Sequence, residues 1–188
     1  MQRLGFFGGC FNPPTIAHYE LATKALEIAN LDKVYFVPMG DYYKKEGLVL
    51  AEDRFQMLKK MTRLNPKLDV SRIQMEQLKD LKAIDTFKLI NNRFQTSQNF
   101  FIMGSDNYKK ISTWKDSKEL LLDYNYIVLN RGDFSGNNVV VVDTTDDLKN
   151  ISSSLVRDKI LKKQNIEKLV TKEVEKYILQ KKLYGQSA

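Results

Sequence analysis

A glycine pair that closes a short apolar run is the feature that most constrains the fold of this chain. The run Leu4–Phe7 stops at Gly8-Gly9, and Asn12-Pro13-Pro14 follows shortly afterwards. An apolar run that ends in this way is typical of a buried strand in a parallel sheet. Glycines can adopt positive φ and let another group approach the backbone closely, while the prolines stiffen the loop. We therefore expect a strand that leads into a tight, rigid loop.

A helix is predicted directly after this loop. From Thr15 onwards, apolar residues recur every three or four positions, as an inward-facing helix requires. They are Ala17, Leu21, Ala22, Ala25, Leu26 and Ala29. A strand, a glycine turn and a helix bring free backbone N–H groups and the positive end of a helix dipole to one point. That arrangement suits a phosphate group.

His18 is the only histidine among the 188 residues, and it falls in the first turn of the predicted helix. Thr15 lies three residues earlier, so both side chains can face the same spot. A lone histidine is more often an ordinary surface or core residue. Its position beside the glycine turn favours a functional role.

The rest of the chain alternates strands with helices. Strands are predicted at residues 4–7, 33–37, 70–73, 99–103, 125–129 and 139–142. Helices are predicted at 15–29, 51–64, 84–94, around 108–111, after Trp114, and at 152–162 and 171–180, with Phe55 and Leu120 to Leu122 facing inward. This alternation predicts an α/β fold with a doubly wound parallel sheet and a short helical C-terminal part. The length fits one domain over residues 1–188.

Composition excludes several classes of protein. The sequence has no apolar run long enough to span a membrane and no leader peptide, so we expect neither a membrane protein nor an exported one. Its single cysteine, Cys10, rules out an internal disulfide and agrees with a reducing cytoplasm. With one cysteine and one histidine, a structural zinc site is not expected. The net charge of +7 fits either a lysine-rich surface or the attraction of a polyanion.

Polar residues follow several of the predicted strands. Lys45 and Arg54 come after the second strand, and Gly104-Ser105-Asp106 follows the strand at 99–103. In a doubly wound sheet the ligand lies beyond the carboxyl ends of the strands, at the point where the strand order reverses. These groups are therefore expected to lie near Gly8-Gly9.

A serine cluster near the C-terminus predicts a second anion site. In Ile151-Ser-Ser-Ser-Leu-Val-Arg157, the hydroxyls can cap the N–H groups at the start of a helix. Arg157 lies one turn into that helix, on the same side as Ser153 and Ser154. Hydroxyls, N–H groups and a guanidinium would then converge on one anion. Helix capping alone is the simpler alternative.

Three stretches together resemble the nucleotidyltransferase superfamily, and within it the nicotinate-nucleotide adenylyltransferases. Residues 8–18 resemble the motif G-G-x-F-[DN]-P-x-[HT]-x-G-H, with Ala17 in place of the last glycine. Residues 101–114 resemble F-I-x-G-x-D-[NS] followed by a tryptophan, and residues 151–157 resemble I-S-S-T-x-[IV]-R. The three motifs occur in family order over nearly the whole chain.

The resemblance implies an activity and its partners. The protein would join the AMP moiety of ATP to nicotinate mononucleotide, giving deamido-NAD and pyrophosphate, in the cytoplasm. Mg²⁺ would accompany ATP as the cofactor, held mostly by phosphate and water. The expected partners are these small molecules, with no nucleic acid and no membrane, and the sequence leaves open whether a homo-oligomer forms.

The resemblance also implies roles for particular residues. The catalytic set is Thr15, His18, Lys45 and Arg157. The residues implied to bind ATP are Gly8, Gly9, Cys10, Phe11, His18, Gly104, Asp106, Ile151, Ser152, Ser153 and Arg157. Those implied to bind the acceptor are Asn12, Lys45, Arg54, Thr86, Trp114 and Arg131. No residue is assigned as a metal ligand. From the residues alone, Asp106 could equally end a strand, and Trp114 could equally anchor the core.

Departures from the family pattern lie mainly in the acceptor half. The family's P-P-H-K corresponds to Tyr42–Lys45, where Lys45 alone matches clearly. Its S-Y-T tripeptide corresponds to Leu81–Ala83 and is absent, and Lys115 stands where an aromatic residue commonly follows the tryptophan. Three alternatives therefore stay open. They are a sibling enzyme with nicotinamide mononucleotide, phosphopantetheine or a polyol phosphate as acceptor, a nucleotide-binding protein without turnover, and a nucleic-acid-binding module supported by charge alone.

Overall fold

Six parallel strands form the centre of the computed structural model, which describes residues 1–79, 81–130, 132, 134–136 and 138–185. The strands are β1 (Gln2–Gly9), β2 (Lys33–Pro38), β3 (Leu68–Val70), β4 (Ser97–Gly104), β5 (Asn125–Asn130) and β6 (Val140–Asp143). Their order in the sheet is β3-β2-β1-β4-β5-β6, and every neighbouring pair is parallel. The predicted doubly wound parallel sheet is confirmed.

Helices connect the strands. They are α1 (Ile16–Ile28), α2 (Ala51–Thr62), α3 (Ala83–Arg93), α4 (Ser105–Tyr108), α5 (Ser117–Asp123), α6 (Asp146–Lys149), α7 (Ser153–Leu161) and α8 (Lys172–Lys181), with a 3-10 turn at Ile111–Thr113. The last two form the predicted helical C-terminal part. In the part of the chain that the structure describes, the helices are all too short or too polar to cross a membrane.

The sheet is buried on both faces, as β4 illustrates. Phe100 and Ile102 belong to one apolar cluster, while Phe101 and Met103 belong to a second cluster on the other face. This alternation follows from the two-residue period of a strand. Because both faces are covered, the central strands read as continuous apolar runs, which is why they could be predicted.

Gly5 allows β1 to pack tightly in the middle of this sheet. A Cβ atom added there would lie 2.8 Å from Leu31 and 2.9 Å from both Val34 and Ile102. Such a contact is too short for carbon atoms, so any larger residue would force the core to shift. The glycine at this position serves packing rather than backbone conformation.

The order of the strands creates a crevice between β1 and β4. The chain leaves β1 to build β2 and β3 on one side, and later returns to build β4, β5 and β6 on the other. The connections at the carboxyl ends of β1 and β4 therefore diverge, and a crevice opens between them. Gly8, Gly9 and Gly104 lie at this edge of the sheet.

Some predicted elements differ from the structure. The third strand was expected at 70–73 but ends at Val70, because the chain turns at Ser71, whose hydroxyl accepts a hydrogen bond from the N–H of Ile73 at 3.3 Å. Leu121 and Leu122 were expected inside but are 44% and 82% exposed, whereas Leu120 is buried. Three successive helical residues cannot share one face. The helix expected around 108–111 is split into α4 and the 3-10 turn, and α6 was missed.

The buried face of α2 is also different from the prediction. Phe55 was expected inside, but it is half-buried beneath the guanidinium of Arg72, 3.8 Å from the ring centroid. Its neighbour Arg54 is fully buried instead, together with Met57 and Leu58. An arginine therefore occupies a core position on this helix.

Candidate active site

Two cavities flank the carboxyl ends of β1 and β4. The first, here the apolar cavity, has a volume of about 230 Å³ and lies between the strands and α3, with Trp114 on its wall. The second, here the histidine cavity, also has about 230 Å³ and includes His18 and Asp106. Gly8 and Asn107 line both cavities. The two spaces therefore meet across the crevice.

The imidazole of His18 is held on three sides. Its Nδ1 accepts a hydrogen bond from the backbone N–H of Thr15 at 2.9 Å and lies 2.7 Å from the Thr15 hydroxyl. The rings of Phe11 and Phe7 pack against it, with centroids at 5.1 Å and 5.9 Å. Because Nδ1 acts as an acceptor, these contacts assign the proton of the neutral ring to Nε2. The structure thus brings Thr15 and His18 together as expected, with Thr15 capping α1.

The two glycines of the opening motif do not adopt positive φ. Both remain in β1, and Phe11 has the positive φ of 50° instead. Added to Gly9, a Cβ atom would lie 3.1 Å from the Phe11 ring, whereas at Gly8 it would meet nothing within 4 Å. Gly9 therefore makes room for Phe11, and Gly8 leaves the crevice open. The expectation of positive φ at these glycines was wrong, because Phe11 takes that conformation, whereas the expected close approach to the backbone occurs at Gly9.

Helix α7 is tied to the β1–α1 loop (residues 10–15). The hydroxyl of Ser153 donates to the carbonyl of Pro13 at 2.7 Å, and Nη1 of Arg157 donates to the carbonyl of Asn12 at 2.8 Å. Ser152 caps the helix by accepting from the N–H of Leu155 at 3.1 Å. The predicted helix start is confirmed, and Ser153 and Arg157 lie on one side of it. The structure therefore brings the serine cluster into contact with the opening motif at this loop.

The end of β4 supplies the remaining wall of the histidine cavity. Gly104 is the N-cap of α4, and Asp106 and Asn107 follow in its first turn. Asp106 is exposed and lines the same cavity as His18. Asn107 lines both cavities but was not among the predicted site residues. Its place directly after Asp106 was the signal that could have identified it.

Polar groups are few in the apolar cavity. Trp114 is half-buried on its wall, and the hydroxyl of Thr86 accepts a hydrogen bond from Nε2 of Gln74 at 2.8 Å. Thr86 and Gln74 are 5% and 8% exposed, so this pair is a buried polar contact in a mostly apolar space. Gln74 was not among the predicted site residues, because it follows the predicted strand at 70–73 and belongs to none of the three motifs.

Other predicted residues are not brought to the two cavities. Lys45 is exposed in the loop between β2 and α2 and lines neither cavity. Ile151 lines a separate depression with Ile16 and Leu148. Cys10 is half-buried, and its thiol contacts the sulfur of Met39 at 3.7 Å. Arg131 lies outside the described residues.

Arg54 and Asn12 bind the protein's own backbone. The guanidinium of Arg54 donates to the carbonyls of Val49, Cys10 and Met39, at 3.0, 3.0 and 2.7 Å. Burial lowers the pKa of Arg54, while Cys10 and Asp41 oppose that shift. Asn12 is 5% exposed, and its Oδ1 accepts a hydrogen bond from the backbone N–H of Val49 at 3.2 Å. The expected contact of Arg54 with the acceptor is therefore not available in this conformation.

Known proteins are similar to this chain over nearly its whole length. The cytidylyltransferase-like family matches residues 6–159. A probable nicotinate-nucleotide adenylyltransferase from Halalkalibacterium halodurans is 32% identical, with 98% of this chain and 92% of the relative covered. One of the same name from Shouchella clausii is also 32% identical, with 100% and 99% covered.

A solved structure has the same fold. The nicotinic acid mononucleotide adenylyltransferase of Plasmodium falciparum complexed with NaAD superposes with a TM-score of 0.83. The match covers 98% of both chains at 19% identity. At this identity the likeness concerns the fold, and it agrees with the strand order described above.

Proposed function

The chain belongs to the cytidylyltransferase-like family and, within it, to the nicotinate-nucleotide adenylyltransferases, and from this premise we propose that it joins the AMP moiety of ATP to nicotinate mononucleotide. The products would be deamido-NAD and pyrophosphate, a step in NAD biosynthesis. One observation carries the proposal. Two cavities of different character meet at Gly8 and Asn107, so two nucleotides can face each other across the crevice.

The reaction needs no covalent enzyme intermediate. A phosphate oxygen of the mononucleotide attacks the α-phosphorus of ATP and forms the new P–O bond. The bond from that phosphorus to the bridging oxygen breaks, and pyrophosphate leaves with the electron pair. The work of the protein is then to align the two phosphates and to stabilise the charge that develops.

We assign ATP to the histidine cavity. The Nε2–H of His18 would donate to an oxygen of the α-phosphate, with the ring held by Thr15 and Phe11. Arg157 would counter the charge of the leaving pyrophosphate. Its Nη1 already contacts the β1–α1 loop, which supports a position close to the phosphates. Asp106 would contact the ribose.

The acceptor, nicotinate mononucleotide, would occupy the apolar cavity. Trp114 would stack on the pyridine ring, and the buried pair Gln74 and Thr86 would supply polar contacts in an apolar wall. Lys45 is exposed and lines neither cavity, so its long side chain would turn towards the phosphate when substrates bind. The absent S-Y-T tripeptide would then be replaced by these other groups.

Magnesium would arrive with ATP. Among the described residues, no three carboxylate, histidine or cysteine side chains converge on a point that could hold a metal ion. One carboxylate, that of Asp106, lines the histidine cavity. With only this carboxylate at hand among the described lining residues, and with that group proposed to contact the ribose, Mg²⁺ would keep several waters and be held mainly by substrate phosphates. Bound there, Mg²⁺ would neutralise phosphate charge. We place the reaction in the cytoplasm, where Mg–ATP is supplied.

Pyrophosphate release from Mg–ATP tests the proposal, with nicotinate mononucleotide and nicotinamide mononucleotide offered separately. Rapid release with the nicotinate form is expected, and a His18→Asn variant serves as the inactive control. Preference for the amide form would keep the mechanism and overturn the acceptor. Silence with both acceptors, in a protein that still binds ATP, would overturn the proposed function.

A further inference from the structure

The loop that carries Lys45 begins and ends at one side chain. Nη2 of Arg54 donates to the carbonyl of Met39 at 2.7 Å, and Nε of the same guanidinium donates to the carbonyl of Val49 at 3.0 Å. The intervening residues 40–48, here the Lys45 loop, thus leave and return to the same group. A compact surface loop whose ends meet in this way is often functional.

The same guanidinium also reaches the β1–α1 loop. Its Nη1 donates to the carbonyl of Cys10 at 3.0 Å, next to the glycines of the crevice. Asn12 adds a second connection, because its Nδ2 donates to the carbonyl of Gly47 at 2.8 Å. Both backbone groups of Val49 are therefore bonded, because its N–H donates to Asn12 and its carbonyl accepts from Arg54.

Arginine is the residue type that this arrangement requires. The three carbonyls belong to the two ends of the Lys45 loop and to the β1–α1 loop, and the planar guanidinium offers its donors in fixed directions that can reach all of them. The side chain is fully buried, and the carboxylate of Asp41 lies 3.9 Å from Nη2. A lysine would keep the charge but would offer its donors from a single point.

We propose that Arg54 is a positioning residue that closes the Lys45 loop and fixes it to the β1–α1 loop. One guanidinium would then fix the position of the Lys45 loop relative to the loop that precedes His18. Lys45 and His18 would thereby be able to reach the same pair of phosphates. The choice of substrates in its test rests on the proposed function. Two further measurements, proteolysis and thiol modification, require no turnover and so separate failure of this inference from failure of that function.

Arg54→Lys is the central variant, and its kinetics and loop exposure are measured together. We expect the KM for the mononucleotide to rise about tenfold or more, because hydrogen bonds to a charged group are lost. Trypsin should cleave faster at Lys44 and Lys45, which are exposed. Alkylation of Cys10, the single cysteine of the chain, should also accelerate.

Two controls separate positioning from simple destabilisation. Arg93→Lys makes the same exchange at an exposed arginine, which pairs with Glu76 at 3.1 Å, far from this loop in the sequence. Leu26→Ala truncates a buried side chain near the far end of α1 and lowers stability without touching the Lys45 loop. Neither control should change the KM, the cleavage rate or the alkylation rate at a temperature where both are folded.

Arg54→Lys and Leu26→Ala are expected to differ in cleavage rate and KM. If Arg54→Lys behaves like Leu26→Ala, with a lower melting temperature and otherwise unchanged rates, Arg54 only fills the core and the proposal is overturned. If Arg54→Lys does not fold, Arg54→Met replaces it, since methionine also fills the buried space with an unbranched side chain but offers no donor to the three carbonyls. Faster cleavage at Lys45 is expected from that variant, and unchanged cleavage overturns the proposal.

Discussion

The two sides of the crevice are built by different kinds of contact. On the histidine side of the crevice, functional side chains are held by hydrogen bonds to the backbone. His18 lines the histidine cavity and is held by Thr15, while Arg157 does not line it and is held by Asn12. In the apolar cavity, most of the wall consists of apolar side chains from β1, β4 and α3, with Gln74 and Thr86 as a buried polar pair. The histidine side therefore depends on the direction of its hydrogen bonds, whereas the wall of the apolar cavity depends mainly on the volume of its side chains.

This difference explains where the sequence keeps the family pattern. A hydrogen-bonded wall needs particular residue types at fixed spacing, because donors and acceptors must meet within a narrow range of distance and angle. An apolar wall needs only side chains that fill the space, so many sequences can build it. The motifs that match fall mostly beside the histidine cavity, and the departures at Tyr42–Lys45 and Leu81–Ala83 fall in the acceptor half.

The largest effect is expected at His18. Replacing it with alanine should lower kcat by about 10²–10³-fold, because one preorganised donor to the transition state is lost. His18→Asn keeps an acceptor for the N–H of Thr15, and it should be equally slow while preserving the start of α1. Pre-steady-state rates and melting curves of both variants check this. A kcat close to that of the unmodified protein would remove His18 from the mechanism.

A change at Trp114 should affect one cavity and not the other. Trp114→Ala should raise the KM for the mononucleotide by about tenfold or more, since base stacking on an aromatic ring contributes about 1–3 kcal/mol. The KM for ATP should stay the same, because Trp114 lines the apolar cavity alone. Trp114→Phe is the matched control and should recover most of the affinity. An equal rise in the KM values for ATP and for the mononucleotide would contradict the assignment of one substrate to each cavity.

Two glycines of β1 offer a contrast between site and core. Gly8→Ala adds a methyl group to the open crevice, so both KM values should rise several-fold with little change in melting temperature. Gly5→Ala should instead destabilise the protein by about 1–3 kcal/mol through overpacking, with KM values unchanged. Urea denaturation and substrate titration distinguish the two. An unstable Gly8→Ala variant would contradict the assignment of that position to the crevice.

The smallest effect is expected at Asp69, at the edge of the sheet and away from both cavities. Burial alone would raise its pKa, but hydrogen bonds from Lys59, the N–H of Val70 and Lys33 lower it to about 2. A carboxyl whose pKa is depressed on folding stabilises the protein above its unfolded pKa, and that stability is lost as the pH falls.

For Asp69 the loss should occur between about pH 4 and pH 2 and amount to about 1–2 kcal/mol, given solvent screening. Asp69→Asn should be less stable at pH 7 and should lack this part of the acid dependence. Acid titrations followed by circular dichroism measure both. Kinetic constants at neutral pH should be unchanged in this variant, which makes it a reference for the two cavities.

The sequence predicted the central sheet well for a physical reason. Four strands of six, β1, β2, β4 and β5, are covered on both faces, so each is a continuous apolar run that ends at a polar or glycine-rich turn. The edge strand β3 has three residues and a half-buried pattern, and its limits could not be predicted. The pair Thr15 and His18 was predictable because both residues belong to one helix start.

The role of Arg54 could not be predicted. The spacing of Phe55, Leu58 and Met61 favoured an inward aromatic and left the arginine outside. The structure buries Arg54 because the carbonyls of Val49, Met39 and Cys10 surround its charge, and these residues lie 5, 15 and 44 positions away in the sequence. Hydrophobic periodicity and sequence motifs do not indicate which backbone carbonyls will lie close together in the folded protein.

Gly8 and Asn107 belong to both cavities, and this shared wall has a consequence for inhibition. A molecule that fills both spaces loses its translational freedom once rather than twice, so its affinity can far exceed that of either half. Two weak fragments, one for each cavity, could therefore be joined into a bivalent ligand by a short linker that passes over Gly8. The linker would have to be thin at that point, because it would pass through the space that Gly8 leaves open by having no Cβ atom.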